Sequence, residues 1–463
     1  MQHARGVAER NRSLLLETQA LRLAVYTLSR EVRLLRGGGG PPMPGGDTEL
    51  VFSLVLEAPG NLEYAQLRKC ARVSRGFNLH VRKRVASWPV LRMCGEFVDF
   101  WDVTHALESL PSSLQSLDLS KTRLVNSLQN AQTLAHVILD AGLTQLTSFA
   151  LSEADLDSGG MGVLGRVFQR NAALESLNFS GNPRLGGLNF SKALSGLTRL
   201  KALDISYTSV SPHAIGRVLA NTSVLATLCM RGWHGDGAKT LTCDSRASSS
   251  FFGGIKQQAS LESLDISRSG FHEYPLLMHR VSTVLLQTPR MHSLFLSMPD
   301  GCQRFAVGMH PPLLLMRMLE RLDLTNVPED GWDILNIFGA CIEWPRLKVL
   351  RLEAALNVTN RTCRSLLCMS SLPALQDLRL VSSPRMDSRF SIWGASTLCE
   401  ALSQWTRLEV LELGSVNMPT DSVNNLCKTL AGLPLLRRLR VKVLGKDVGA
   451  LRTALEPKVR VTF

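Results

Sequence analysis

Histidine, cysteine and carboxylate are the side chains that could do chemistry in this chain, and their spacing assembles no site. His272-Glu273 is followed by Tyr274-Pro275, which breaks the i, i+4 spacing of a zinc-binding His-Glu-x-x-His helix. The ten histidines stand apart in sequence and read as satisfied surface or core groups rather than ligands. The ten cysteines include no Cys-x-x-Cys pair, a pattern of reduced thiols rather than of a disulfide or zinc framework. Neither a Gly-x-Ser-x-Gly elbow nor a phosphate loop occurs. The expectation is a protein that is not an enzyme, with no cofactor, no metal and no small-molecule substrate.

Charge offers binding chemistry instead. Arg68, Lys69, Arg72, Arg75, Arg82, Lys83 and Arg84 follow one another with no acid between them, a run that could hold phosphate. It lacks interleaved aromatics for base stacking, so nucleic acid is not the expected partner and a solvated helix face is the plainer reading. Arg246-Ala247-Ser248-Ser249-Ser250 is a weaker phosphate-accepting pattern. The net charge of +13 gathers at the ends: residues 1–36 carry 7 basic and 3 acidic side chains, and residues 433–463 carry 8 and 2. Arg437-Arg438-Leu439-Arg440-Val441-Lys442 falls in a repeat described next and reads as a solvated terminal unit.

The elements that must position these side chains follow from one spacing. Leu261-Glu262-Ser263-Leu264-Asp265-Ile266-Ser267 is one of twelve LxxLxL stretches, from Leu114/Leu117/Leu119 to Leu436/Leu439/Val441, and several of the later steps are 28 residues. Alternate residues of a strand face opposite ways, so Leu264 and Ile266 point into a core while Asp265 points out. One such strand cannot bury its apolar side, whereas stacked copies can. The connectors have room for about two or three turns of helix, as in Asp421 to Leu430, which opens with a capping residue. Along the outward face the middle positions include Asp204, Asp265, Phe295, Asp323, Arg351, Arg379 and Arg440. These are the candidate partner-binding residues, with a basic part of a partner expected against the aspartates and an acidic part against the arginines.

These stretches resemble the ribonuclease-inhibitor-like class of leucine-rich repeats. That resemblance implies an α/β solenoid, a horseshoe with parallel strands inside and helices outside, over residues 94–463. Asn182 alone supplies the turn asparagine of that class, while Thr122 and Thr208 offer hydroxyls. The longest step contains Trp233, Phe251 and Phe252 and is expected to leave the stack as a projecting loop; its aromatics either anchor a partner or pack the loop onto its own repeat. A GTPase-activating protein for Ran resembles the same repeat class, but no motif here carries its residues over. Val459 to Phe463 alternates apolar and polar residues, as a closing strand would.

Ahead of the repeats, residues 1–36 carry Leu14, Leu21, Leu28 and Leu35 at sevenfold spacing with Val25 and Val32 at the a positions. This seam is either a parallel homodimer contact through residues 11–36 or one amphipathic helix folded onto the body. Residues 37–46, Gly-Gly-Gly-Gly-Pro-Pro-Met-Pro-Gly-Gly, form a linker that ends the helix. Residues 47–93 read as small helices: Glu49-Leu50 opens an apolar run, Leu67 precedes Val73 by six residues, Phe77 follows it by four, and Trp88 comes about ten residues on. This spacing resembles an F-box, with Phe77 where tryptophan is usual and Asp47-Thr48 where Leu-Pro usually stands. The resemblance implies that Leu50, Leu54, Leu67, Val73 and Phe77 dock the Skp-type adaptor of a cullin-RING ubiquitin ligase, the repeats selecting a substrate. The same residues would equally serve as a helical cap on the solenoid. No apolar run is long enough to span a bilayer, and no signal-like region opens the chain, so cytoplasm or nucleus is the expected compartment.

Overall fold

The computed structural model describes residues 90–92, 113–122, 127–233, 245–269, 275–297, 313, 315–325, 344–353, 363–364, 366–367, 372–381, 388–389, 392–417, 420–443, 455 and 459–462. The leucine seam, the linker and the F-box-like stretch up to residue 89, with Leu50, Leu54, Leu67, Val73 and Phe77, lie outside the described residues. The chain divides into two compact units, Met1–Ala154 and Asp155–Phe463.

In the first unit, β1 (Val90–Arg92), β2 (Ser116–Asp118) and β3 (Ser148–Ala150) pair in parallel, with Leu91 opposite Leu117 and Leu117 opposite Phe149. Helix α1 (Leu128–Asp140) joins β2 to β3, and Ser127 caps it by accepting from the Asn130 amide at 3.2 Å. The sheet therefore starts inside the stretch expected to be small helices. Trp88-Pro89-Val90-Leu91-Arg92-Met93 has the strand spacing, with Trp88 in place of the first leucine.

In the second unit the repeat is strand, turn and helix. The strands are β4 (Ser176–Asn178), β5 (Ala202–Asp204), β6 (Thr227–Cys229), β7 (Ser263–Asp265), β8 (Ser293–Ser297), β9 (Arg321–Thr325), β10 (Val349–Glu353), β11 (Asp377–Val381), the two-residue β12 (Ser388–Arg389), β13 (Val410–Asn417), β14 (Arg438–Val443) and β15 (Arg460–Thr462). They lie in chain order and in parallel, β12 pairing with β13 off the main path. Register places the same repeat residue opposite itself, Leu264 against Leu228 and Leu294, and Leu350 against Leu322 and Leu378. This is an α/β leucine-rich-repeat solenoid, and the expected closing strand is β15.

Between the strands come α2 (Ser158–Arg170), α3 (Leu188–Leu194), α4 (Pro212–Asn221), α5 (Ser245–Lys256), α6 (Pro275–Leu285), α7 (Ile392–Gln404) and α8 (Thr420–Ala431). Their starts are written locally: Asp157 accepts from the Gly160 amide at 2.7 Å, and Ser211 caps a helix with Pro212 in its first turn. Phe179, just past β4, packs between Phe168 of α2 and Phe190 of α3, with ring centroids 5.8 and 6.4 Å away. Buried polar residues close the helix ends: Asn171 Nδ2 donates to the Val167 carbonyl at 2.9 Å, and Gln258 Nε2 donates to the Leu219 carbonyl at 2.7 Å.

One expectation is corrected here. Residues 246–252 do not project as a loop, because they belong to α5, which packs against α4. Two glycines make this possible: a Cβ on Gly216 would lie 2.5 Å from the Ser250 carbonyl carbon, and one on Gly254 would lie 2.9 Å from the Gly216 oxygen. Trp233, Phe251 and Phe252 are buried, with Trp233 Nε1 donating to the Val210 carbonyl at 2.7 Å. The aromatics pack their own repeats rather than face a partner.

Candidate functional site

The outward face divides by how each strand ends. After β2, β4, β5 and β7 the middle outward residue is Asp118, Asn178, Asp204 or Asp265, and each side-chain oxygen accepts from the amide two residues on, at 2.9 to 3.1 Å. An Asx turn of this kind bends the chain out of the sheet, and β3 and β6, with Ala150 and Cys229 at that position, also stop after three residues. The second residue past the inward position then takes a left-handed backbone: Lys121, Glu153, Gly181, Tyr207, Gly232 and Arg268 have φ between 52° and 71°. Thr122, Asn182, Thr208 and Ser269 complete the corner by donating to the carbonyl three residues back. Asp204 and Asp265 are thus acceptors for the protein's own turns. At one corner a Cβ on Gly232 would meet the Tyr207 ring at 2.1 Å, so a side chain there displaces that ring.

Cys229 stands in register between Asp204 and Asp265. Burial, then the charges of Asp204 and Asp265, push its thiol up to about 12, so it is protonated at neutral pH and is no nucleophile. Burial also raises the Asp265 carboxyl above the ordinary range, opposed by two hydrogen bonds from Ser267 and by the charge of Arg231.

From β8 onward the middle outward residues are Phe295, Asp323, Arg351 and Arg379, and β8 to β11 run to five residues. Here the face is an ion-pair ladder. Arg321 lies over the Phe295 ring at 4.7 Å and reaches Asp323 at 3.6 Å. Asp377 takes Arg351 Nη2 at 3.1 Å and a two-point grip from Arg379. Glu412 takes Arg440 Nη1 at 3.0 Å and Arg379 Nη1 at 3.8 Å. Asp377, followed by the charges of Glu412 and Asp323, holds the Arg379 guanidinium above its usual range despite its burial. Arg351, Arg379 and Arg440 therefore carry carboxylates of their own. Reading only the middle outward position missed Asp377, which stands two residues earlier on the strand.

The structure brings Phe295, Asp323, Arg351, Arg379 and Arg440 onto one run of paired strands, while the five candidate adaptor residues lie outside the described residues. Such a face can recognise a surface through planar guanidinium groups and a cation-covered ring. Among the described residues no group of three histidine, cysteine or carboxylate side chains could hold a metal ion, and no helix is long and apolar enough to cross a membrane.

No family model matches the chain, and no curated protein matches it. Solved structures are similar to it. A chain from the crystal structure of the Rad7 and Elc1 complex in yeast is similar over 97% of both chains, with a TM-score of 0.52 and 16% identity. The leucine-rich-repeat-containing protein LegL7 from Legionella pneumophila is 16% identical over 69% of this chain and 93% of its own, with a TM-score of 0.34. An internalin from Listeria monocytogenes is 16% identical over 82% and 88%, with a TM-score of 0.37.

Proposed function

We propose that this chain is a non-catalytic protein-recognition module, an F-box-like substrate receptor. Its outward strand face holds a protein target, and residues 47–93 join it to the Skp-type adaptor of a cullin-RING ubiquitin ligase. The observation that carries the recognition role is the run from Phe295 to Arg440, six adjacent strands whose outward side chains are set in ion pairs and one cation-covered ring. Fixed, partly desolvated guanidinium groups lose less conformational freedom on binding than mobile ones. The F-box-like spacing ahead of the repeats supports the ligase role, as does a fold likeness along nearly the whole length of a chain from a two-protein complex. Ubiquitin chemistry would then take place on other subunits.

A photo-crosslinking residue tests the recognition role when placed at Phe295 and, as a control, at Arg217, exposed on α4. A partner captured at 295, absent at 217, and lost on Arg351→Glu with Arg379→Glu is the expected result. Equal capture at both positions contradicts it.

A further inference from the structure

The ion-pair ladder stops one strand short of the sheet's end. Along the first outward row, Asp377 is opposite Val410, Val410 opposite Arg438, and Arg438 opposite Arg460. Along the second, Arg379 is opposite Glu412, Glu412 opposite Arg440, and Arg440 opposite Thr462. Neighbouring strands lie about 4.8 Å apart, so Arg438 and Arg460 are like charges side by side, an arrangement that destabilises a sheet unless an anion joins it. Arg438, Arg440 and Arg460 are all exposed. Among the described residues no carboxylate reaches Arg438 or Arg460, and Glu412, already shared with Arg379, is the carboxylate that Arg440 reaches.

We infer that the β14–β15 end of the face binds an acidic segment of a protein partner, its carboxylates bridging Arg438 and Arg460 with Arg440 beside them. This rests on the outward face being a protein-binding surface, and names the chemistry it selects. The rest of the ladder separates an acidic peptide from nucleic acid. Asp323, Asp377 and Glu412 interleave with Arg321, Arg351, Arg379 and Arg440, so a continuous phosphate backbone laid along the face meets fixed negative charge. Phe295, the aromatic of this run, is covered by Arg321 and offers no open platform for a base. A short acidic segment touches only the unneutralised end.

The test titrates the full chain with a fluorescent oligo-glutamate peptide. A neutral peptide of equal length, a single-stranded oligonucleotide, phosphatidylserine vesicles and inorganic phosphate form the other arms. The expected result is salt-sensitive oligo-glutamate binding that falls about tenfold or more in Arg438→Gln with Arg460→Gln. It is expected to be unchanged in Arg170→Gln with Arg217→Gln, which removes the same charge from exposed helix positions. Oligo-glutamate should also raise the melting temperature of the wild type but not of the Arg438/Arg460 variant, a readout that holds even if the variant's own stability shifts. Equal binding by both double variants, or none by the wild type, overturns the inference. So does tighter binding of the oligonucleotide, vesicles or phosphate that is lost in the Arg438/Arg460 variant. Crosslinking at Phe295 without oligo-glutamate binding leaves a recognition face whose acidic site is wrong, whereas failure of both removes the face itself.

Discussion

Arg379 grips Asp377 at two points, Nε to Oδ1 at 2.9 Å and Nη2 to Oδ2 at 3.1 Å, although the two stand only two residues apart on one strand. The same guanidinium reaches Glu412 of the next strand at 3.8 Å. Asp377 also receives Arg351 from the strand before, so one carboxylate fixes two of the arginines of the recognition face.

Asp377→Asn should therefore loosen two side chains at once. The arginines are about a third exposed, so solvent screening limits the loss to about 1 to 2 kcal/mol, below the 3 to 5 of a fully buried broken pair. Urea unfolding of the variant and wild type at low and high salt checks this, and the difference should shrink as salt rises.

The raised Asp265 carboxyl sets a pH dependence. Its folded pKa lies above the unfolded one, so ionisation at this site opposes the fold, and the lost stability returns as pH falls through the raised value toward the ordinary one. Asn178 makes the same turn with a neutral side chain, accepting from the Ser180 amide at 2.9 Å and hydroxyl at 2.8 Å. Asp265→Asn should melt no lower than wild type at neutral pH, with any advantage disappearing on acidification. A lower melting temperature at neutral pH would show that the charge is needed.

Leu264 is fully buried in register with Leu228 and Leu294, so Leu264→Ala should cost roughly 2 to 5 kcal/mol. Ser263→Ala, one residue away on the outward face, should cost less than about 0.5 kcal/mol. Chemical denaturation of the pair checks the repeat register directly.

The contact of α4 with α5 gives a signed pair. Gly216→Ala forces a methyl into the Ser250 backbone and should destabilise by about 1 to 3 kcal/mol. Gly253→Ala, whose added Cβ meets nothing within 4 Å, should stabilise α5 by about 0.5 to 1 kcal/mol through helix propensity. Thermal melting of the two variants should move in opposite directions.

Spacing made the repeat legible, because a period of two within each strand and a steady step between strands leave one way to bury the leucines. It could not show why the strands end where they do. Asp204 and Asp265 read as charge set for a partner, and only geometry makes them turn acceptors. Lys121, Glu153, Tyr207 and Arg268 gave no signal for a left-handed backbone, which a glycine such as Gly181 announces. Helix α5 was hidden by Ser248-Ser249-Ser250 and Gly253-Gly254, poor helix formers that tertiary packing overrides. Asp377, the carboxylate shared by Arg351 and Arg379, escaped because those ion pairs join different outward rows.

Binding of the full-length chain to purified Skp adaptor tests the receptor role most directly. Size-exclusion chromatography should show a stable complex with wild type, lost in Leu67→Asp with Val73→Asp while the melting temperature of the chain is unchanged. A folded wild-type chain that forms no complex would contradict the receptor role. It would leave a leucine-rich-repeat scaffold whose N-terminal helices cap the stack and whose leucine seam pairs two copies.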